Sequence, residues 1–168
     1  MITLPHTGMQ IPTANRIHVT GFDESPEEGA DWSATLHAKD GAILGTVCGD
    51  EDRTWFRPVG DAAARRVAAF AAGCRDHAGN RLTTPEALAA LVDEHEYADL
   101  VRSPREGWRT VRLLSRRGPA WVVPVETTPA QDQTRTVDAI TDLLRDGDLV
   151  SVQVWGGAGW TPLYQRPA

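Results

Sequence analysis

WSATLHAKDGAILGTVCGD, residues 32–50, decides how this chain is read. Asp40-Gly41 is a favoured dipeptide for a two-residue type I′ turn, in which both central residues take positive φ. Folding the flanking segments about it pairs Ala38 with Ile43, Leu36 with Gly45 and Ala34 with Val47, leaving His37, Leu44, Thr35, Thr46, Ser33 and Cys48 on the other face. One face is small and apolar and the other mostly polar, so turn chemistry and alternation predict the same hairpin register. Gly45 and the alanines leave room for a helix to pack closely on the apolar face.

Working outward, RIHVTGF (16–22) reads as a strand before the hairpin, and RTWFRPV (53–59) as one after it, where Pro58 suits an edge or a terminus. DAAARRVAAFAAGCRDHAG (61–79) predicts a helix with Asp61 as N-cap and Gly79 as its stop. Ala63, Val67, Phe70 and Cys74 recur on one face of it at helical spacing. A second helix over TTPEALAALVDEHEYADLV (83–101) has Thr84 as cap and Pro85 in its first turn. Its buried stripe is Leu88, Leu91, Val92, His95 and Leu100.

RSPREGW (102–108) has the proline, glycine and charge of a connector. WRTVRLLSRRGPAWVVPVE (108–126) then reads as a hairpin turning near Arg117-Gly118-Pro119, TPAQDQ (128–133) as a loop, and TRTVDAITDLLRDG (134–147) as a short third helix. DLVSVQVW and GWTPLYQ close the chain as a last hairpin, which sets Trp155 opposite Trp160 and Val152 opposite Leu163. The glycines between the two tryptophans are residues able to take positive φ in a tight turn, and no helix N-terminus follows them to receive a phosphate.

The order β-ββ-β-α-α-ββ-α-ββ, joined mainly by short turns, predicts an α+β fold in which antiparallel hairpins pack with about three helices. The 168 residues suit a single domain, 1–168, with two lobes, 1–102 and 108–168, meeting at the connector 102–107. MITLPHTGMQIP shows no basic stretch followed by an apolar run, and no apolar segment reaches the ~20 residues of a membrane helix, so a cytoplasmic location is expected.

Chemistry-bearing motifs are absent from the sequence. No Gly-x-Gly-x-x-Gly, Gly-Lys-Ser/Thr or Gly-x-Ser-x-Gly occurs, and Cys48 and Cys74 match neither a disulfide framework nor a zinc spacing. No metal and no cofactor are therefore expected, and a non-enzymatic reading is preferred. The third reading is an enzyme with a site assembled across the lobes, for which His37, Cys74, His77 and His95 would be the first candidates. A Cys74/His77 pair beside His95 and Asp99 on neighbouring helices is geometrically conceivable as a metal site, yet a buried thiol with helix-end histidines explains those residues as well.

Charge divides the chain. The net charge is −6, yet Arg102, Arg105, Arg109, Arg112, Arg116 and Arg117 stand against the lone Glu106 within 102–117. Acidic clusters lie at 23–31, 49–52 and 93–99. Six tryptophans are present. Trp32, Trp55 and Trp121 fall inside strands, where burial is the ordinary expectation, whereas Trp108, Trp155 and Trp160 fall at loop or turn edges.

Together these features point to a small binding module that makes protein–protein contacts. Its expected surface comprises Trp108, Trp155, Trp160, Arg109, Arg112, Arg116 and Arg117. Nucleic-acid binding by the arginine-rich 102–117 region is the alternative. The acidic clusters raise a further, weaker idea, imitation of nucleic acid against a basic partner. Arginine replacing lysine almost throughout, with many alanines, suggests an actinobacterial genome or its phage or plasmid as source.

Overall fold

The register of the first hairpin sets one of two four-stranded sheets. The computed structural model describes residues 1–24, 29–126 and 147–167. Strands β1 (Ile2–Thr3) and β2 (Gln10–Ile11) form a two-residue ladder. They are followed by β3 (Ile17–Asp23), β4 (Trp32–Ala38), β5 (Ile43–Gly49) and β6 (Thr54–Pro58), an antiparallel sheet in the order β3-β4-β5-β6. Helices α1 (Asp61–Gly73) and α2 (Thr84–Arg102) come next. Strands β7 (Trp108–Ser115), β8 (Trp121–Glu126), β9 (Leu149–Trp155) and β10 (Trp160–Gln165) build a second antiparallel sheet in the order β10-β9-β7-β8. The fold is mixed α+β. Two of the expected helices lie among the described residues, and the third, at 134–147, lies outside them apart from Gly147.

Within the first hairpin, Leu36 faces Gly45 and Ala34 faces Val47 as the alternation requires. The turn differs from the expected two-residue form. Within the turn Gly41 alone takes positive φ, 84°, and among the described residues no non-glycine residue does. The Gly41 amide donates to the Ala38 carbonyl and the Ala38 amide to the Ala42 carbonyl, both at 2.9 Å. This is a type I turn through Lys39-Asp40 closed by a glycine bulge, which spares Asp40 the left-handed conformation. The register then shifts between Leu36 and His37, so His37 rather than Ala38 faces Ile43. The same irregularity brings Leu44 onto the core side, where it is buried.

Ile17, Val19, Ala34, Leu36, Ala38 and Val47 bury one face of this sheet beneath α1 and α2. At α1 the cap position falls to Gly60, and Asp61 is the first helical residue, with no side-chain cap bond. The helix ends at Gly73, not Gly79, because Cys74 turns to extended geometry and its chain pairs elsewhere. The Gln10 and Arg75 backbones exchange two hydrogen bonds, at 2.8 and 3.0 Å. At α2 the cap is Thr83, one residue earlier than expected, because Glu86 reaches back to the Thr83 amide at 2.7 Å and closes a capping box. Leu88, Leu91 and Val92 are buried as the stripe predicts, while His95 and Leu100 are only partly covered.

The second sheet carries its own small core of Val111, Leu113, Leu149 and Val152. Trp155 faces Trp160 as expected. A bulge between Pro162 and Tyr164 then pairs Val152 with Tyr164 instead of Leu163. Trp121, expected to be buried, is 63% exposed, since it opens the edge strand β8.

Candidate functional site

A short hook joins the two sheets. β1 and β2 are too short to hold themselves, and their connection is closed by hydrogen bonds from the Leu4 amide to the Met9 carbonyl (2.8 Å) and from the Gly8 amide to the Leu4 carbonyl (3.1 Å). Gly8 takes φ 70°, which the turn requires. The tip, Pro5-His6-Thr7, lies between α2 and the second sheet, and its backbone groups are claimed from both sides.

On the α2 side, Glu94 accepts from the His6 amide at 3.1 Å, from the Thr7 amide at 2.7 Å and from the Thr7 hydroxyl at 2.9 Å. On the sheet side, Arg112 donates to the Pro5 carbonyl at 2.8 Å and the His6 carbonyl at 3.3 Å. Trp160 donates through Nε1 to Pro5 at 2.9 Å, and the Ala120 amide donates to Thr7 at 2.9 Å. Arg112 also binds Gln153 Oε1 through Nε at 3.0 Å and through its terminal nitrogen, and its guanidinium lies 4.8 Å over the Trp160 ring. His6 packs 5.5 Å from Trp155 and 6.0 Å from Trp160, which are themselves 5.2 Å apart in an edge-on arrangement.

His6 is only 6% exposed, and its Nδ1 is a buried polar atom with no hydrogen-bond partner among the described residues. Burial pushes its pKa below the ordinary histidine range; Glu94 opposes that and Arg112 adds to it. The imidazole is therefore neutral near pH 7. Burial lowers the Arg112 pKa as well, with Glu94 opposing, but an arginine so placed keeps its charge. Further along α2, burial together with Glu96 and Glu94 pushes Asp93 up to about 7.

Beside the hook, α2 and β3 enclose a cleft of about 230 Å³. Leu4, Ile11, Ile17, Val19, Leu91 and Ala98 give it an apolar lining, His95, Glu94 and His6 supply polar groups, and Arg16 and His18 border it where β3 begins. A second tie between the sheets runs through the loop after α1. Asp76 there is 0% exposed and accepts from the Ala78 amide (2.9 Å), the Asn80 amide (2.8 Å), Asn80 Nδ2 (2.8 Å) and the Gly118 amide (2.9 Å). His77 Nε2 donates to the Ser115 carbonyl at 2.6 Å. Across the first sheet, the face turned away from the helices carries a separate hollow of about 300 Å³ lined by Asp23, Ser33, Thr35, Thr46, Cys48 and Arg57.

The residues expected at a binding surface separate into two groups. Arg112, Trp155 and Trp160 come together, half-buried, in the junction around the hook. Trp108, Arg109, Arg116 and Arg117 are exposed along β7 and the turn that follows it. The residues considered for catalysis are engaged separately. His37 stacks 5.3 Å from His18 and shares a 2.9 Å hydrogen bond with Thr20, Cys74 is buried with its thiol on the Phe70 carbonyl at 3.4 Å, His77 holds Ser115, and His95 lines the cleft. Among the described residues no group of three His, Cys, Asp or Glu side chains is placed to hold a metal. No helix of the described residues is long and apolar enough to cross a membrane.

Sequence reasoning missed His6, Thr7 and Glu94. The available signal was Pro5 and Gly8 set between ITL and MQI, a turn between two short apolar runs. The chain matches no family model, no curated protein and no solved structure.

Proposed function

We propose that the chain is a non-enzymatic binding module acting through protein–protein contacts, with Trp121 on β8 at the centre of the contact surface. The observation that carries this reading is a tryptophan 63% exposed on the edge strand of a sheet. Tryptophan and arginine are the residue types most enriched where partners bind tightly. Arg116 and Arg117 are exposed on the turn that leads into β8, while Trp108 (37% exposed) and Arg109 are exposed at the far end of β7, opposite Glu126 and Val125. Trp155 and Trp160 contribute only what the junction leaves uncovered, and Arg112 is committed to the hook.

The same four cationic and aromatic side chains suit a phosphate backbone, so the test must separate the two partners. The immobilised chain is exposed to lysate of its own source cell, with and without nuclease, beside a Trp121→Ala variant. A captured protein that survives nuclease and falls by about 30-fold with Trp121→Ala supports the reading, since a hot-spot tryptophan contributes ~2 kcal/mol or more. Capture abolished by nuclease, or unchanged in the variant, overturns it; in the first case nucleic-acid binding by the arginines takes its place.

A further inference from the structure

His6 sits where the hook meets α2 and the second sheet. Its ring is buried, and Nδ1 has no hydrogen-bond partner among the described residues. Buried polar groups are hydrogen-bonded as a rule, so the exception asks for an explanation. A ligand in the neighbouring cleft is a poor one, because Nδ1 is closed off from solvent-sized probes. The charge state of the ring supplies a better one.

In a protonated imidazole both nitrogens are donors, so Nδ1 would carry an N–H and part of a positive charge with no acceptor facing it. The groups around it do not relieve that. On α2, Glu94 already accepts from the His6 and Thr7 amides and from the Thr7 hydroxyl. On β7, Arg112 donates to the His6 carbonyl, brings a like charge, and covers the face of Trp160 that a cation would otherwise use. Trp155 and Trp160 pack against the ring from β9 and β10. Asp93 and His95 adjoin Glu94 on α2. Arg16 and His18 lie across the cleft, with the His18 ring on the opposite face of β3, stacked on His37. Burial, with Arg112 adding to it, outweighs the pull of Glu94 and holds the His6 pKa below the ordinary range.

We propose that His6 is an acid-sensitive catch: the hook holds α2 and the second sheet together while the ring is neutral and lets go when the ring is protonated. The closed hook favours the neutral ring. Its contribution is therefore complete above the ordinary value of about 6.5 and is lost as pH falls through the lower closed value. Release parts Pro5 from Trp160 and Arg112, and Thr7 from the Ala120 amide, so it uncovers an arginine and two tryptophans. The device does not depend on a partner at β8. Asp93, pushed up to about 7 by burial, Glu96 and Glu94, responds in the opposite sense, because acid favours its neutral form.

Amide hydrogen exchange at Thr7, which is 0% exposed and bound to Glu94, and at Ala120, bound to Thr7, reads the catch directly. It is followed by NMR between about pH 7 and about pH 5, above the range in which ordinary carboxylates protonate, and corrected for the intrinsic rate. The His6 ring is titrated in the same samples through its carbon-bound hydrogens. Exchange at both amides is expected to accelerate between about threefold and about 25-fold, the upper figure being the limit for an imidazole of ordinary value 6.5 in the open hook. The ring itself is expected to stay mostly neutral at about pH 6.5. His6→Phe, which keeps an aromatic ring and cannot be protonated, is expected to abolish the acceleration. A His6 ring half-protonated at or above about pH 6.5 overturns the proposal, as does wild-type exchange that does not accelerate. It is overturned equally by a His6→Phe variant that accelerates as wild type does. If His6→Phe does not fold, the two wild-type measurements decide alone.

Discussion

Replacing Asp76 by alanine tests whether the loop after α1 ties the two sheets together. The carboxylate accepts four hydrogen bonds, two from Asn80, one from Ala78 and one from Gly118 on the β7–β8 turn. Hydrogen bonds to a charged group contribute ~1.5–3 kcal/mol each, but these four are not additive. Ala78 and Asn80 are exposed and recover water, whereas the Gly118 amide loses a partner inside the junction. A loss of about 3 kcal/mol follows. With a urea dependence of about 2 kcal/mol per molar, the unfolding midpoint drops by about 1.5 M without a change in slope. Amide exchange at Gly118 accelerates in the variant.

The acid leg sharpens the same test. Burial alone would raise the Asp76 pKa; the hydrogen bonds from Asn80, Gly118 and Ala78 outweigh it and hold the carboxyl below its ordinary range. The folded state therefore favours the ionised form. Its contribution is complete above the unfolded value of about 3.9 and is lost as pH falls through the lower folded value. The gap between wild type and Asp76→Ala should thus narrow between about pH 7 and about pH 2. A loss under about 0.5 kcal/mol at neutral pH, or a gap that stays constant on acidification, refutes the reasoning.

Asp93→Asn should act in the opposite sense. With the folded carboxyl pushed up to about 7 by burial, Glu96 and Glu94, stability is greatest below the unfolded value and declines as pH rises through 7. A difference of that size is worth at most about 4 kcal/mol, and about 2 is expected because the carboxyl keeps some contact with water. Urea melts should therefore show the variant gaining at about pH 8.5 and matching wild type at about pH 3, below the unfolded value; equal gains at both would contradict it. Gly45→Ala should cost at least about 3 kcal/mol, since φ is 147° and a Cβ would stand 2.2 Å from the Arg57 carbonyl oxygen and 2.8 Å from Pro58 Cα. A melting temperature within a few degrees of wild type would count against this. Cys74, 0% exposed, has its thiol pushed up to about 12 by burial, partly offset by Arg75. Iodoacetamide should leave it unmodified in the folded protein and alkylate it in denaturant, as mass spectrometry reads directly.

How far the sequence can be read depends on whether a segment carries a period. The hairpin around Asp40-Gly41 and the Trp155–Trp160 pair each have several alternating residues beside a turn, so a slip by one residue would expose a core face. Those registers were legible. The bulges at Leu36–His37 and Pro162–Tyr164 were not, because one extra residue in a ladder leaves the alternation on either side intact. The early stop of α1 was hidden for another reason: Cys74 continues the apolar face of the helix, and only the distant Gln10 backbone draws the chain away. Glu94 read as one more charge on a solvated helix face. Its role depends on Thr7, which is 87 residues away, and neither residue signals the other.

The hook has a consequence for the order in which the molecule becomes complete. Its partners are separated from it by 88 residues at Glu94, 107 at Arg112 and 155 at Trp160. Each first sheet strand can pair with a near neighbour early, but Pro5 and His6 must wait for residues made long afterwards. Contacts of such separation form late and slowly, since a long loop must close before any of them rewards it. The hook, made before its partners, is thus the last to lock, and it acts as a clasp whose closing reports that both sheets are in place. Stopped-flow emission from Trp155 and Trp160 should therefore trail the backbone signal of the first sheet during refolding.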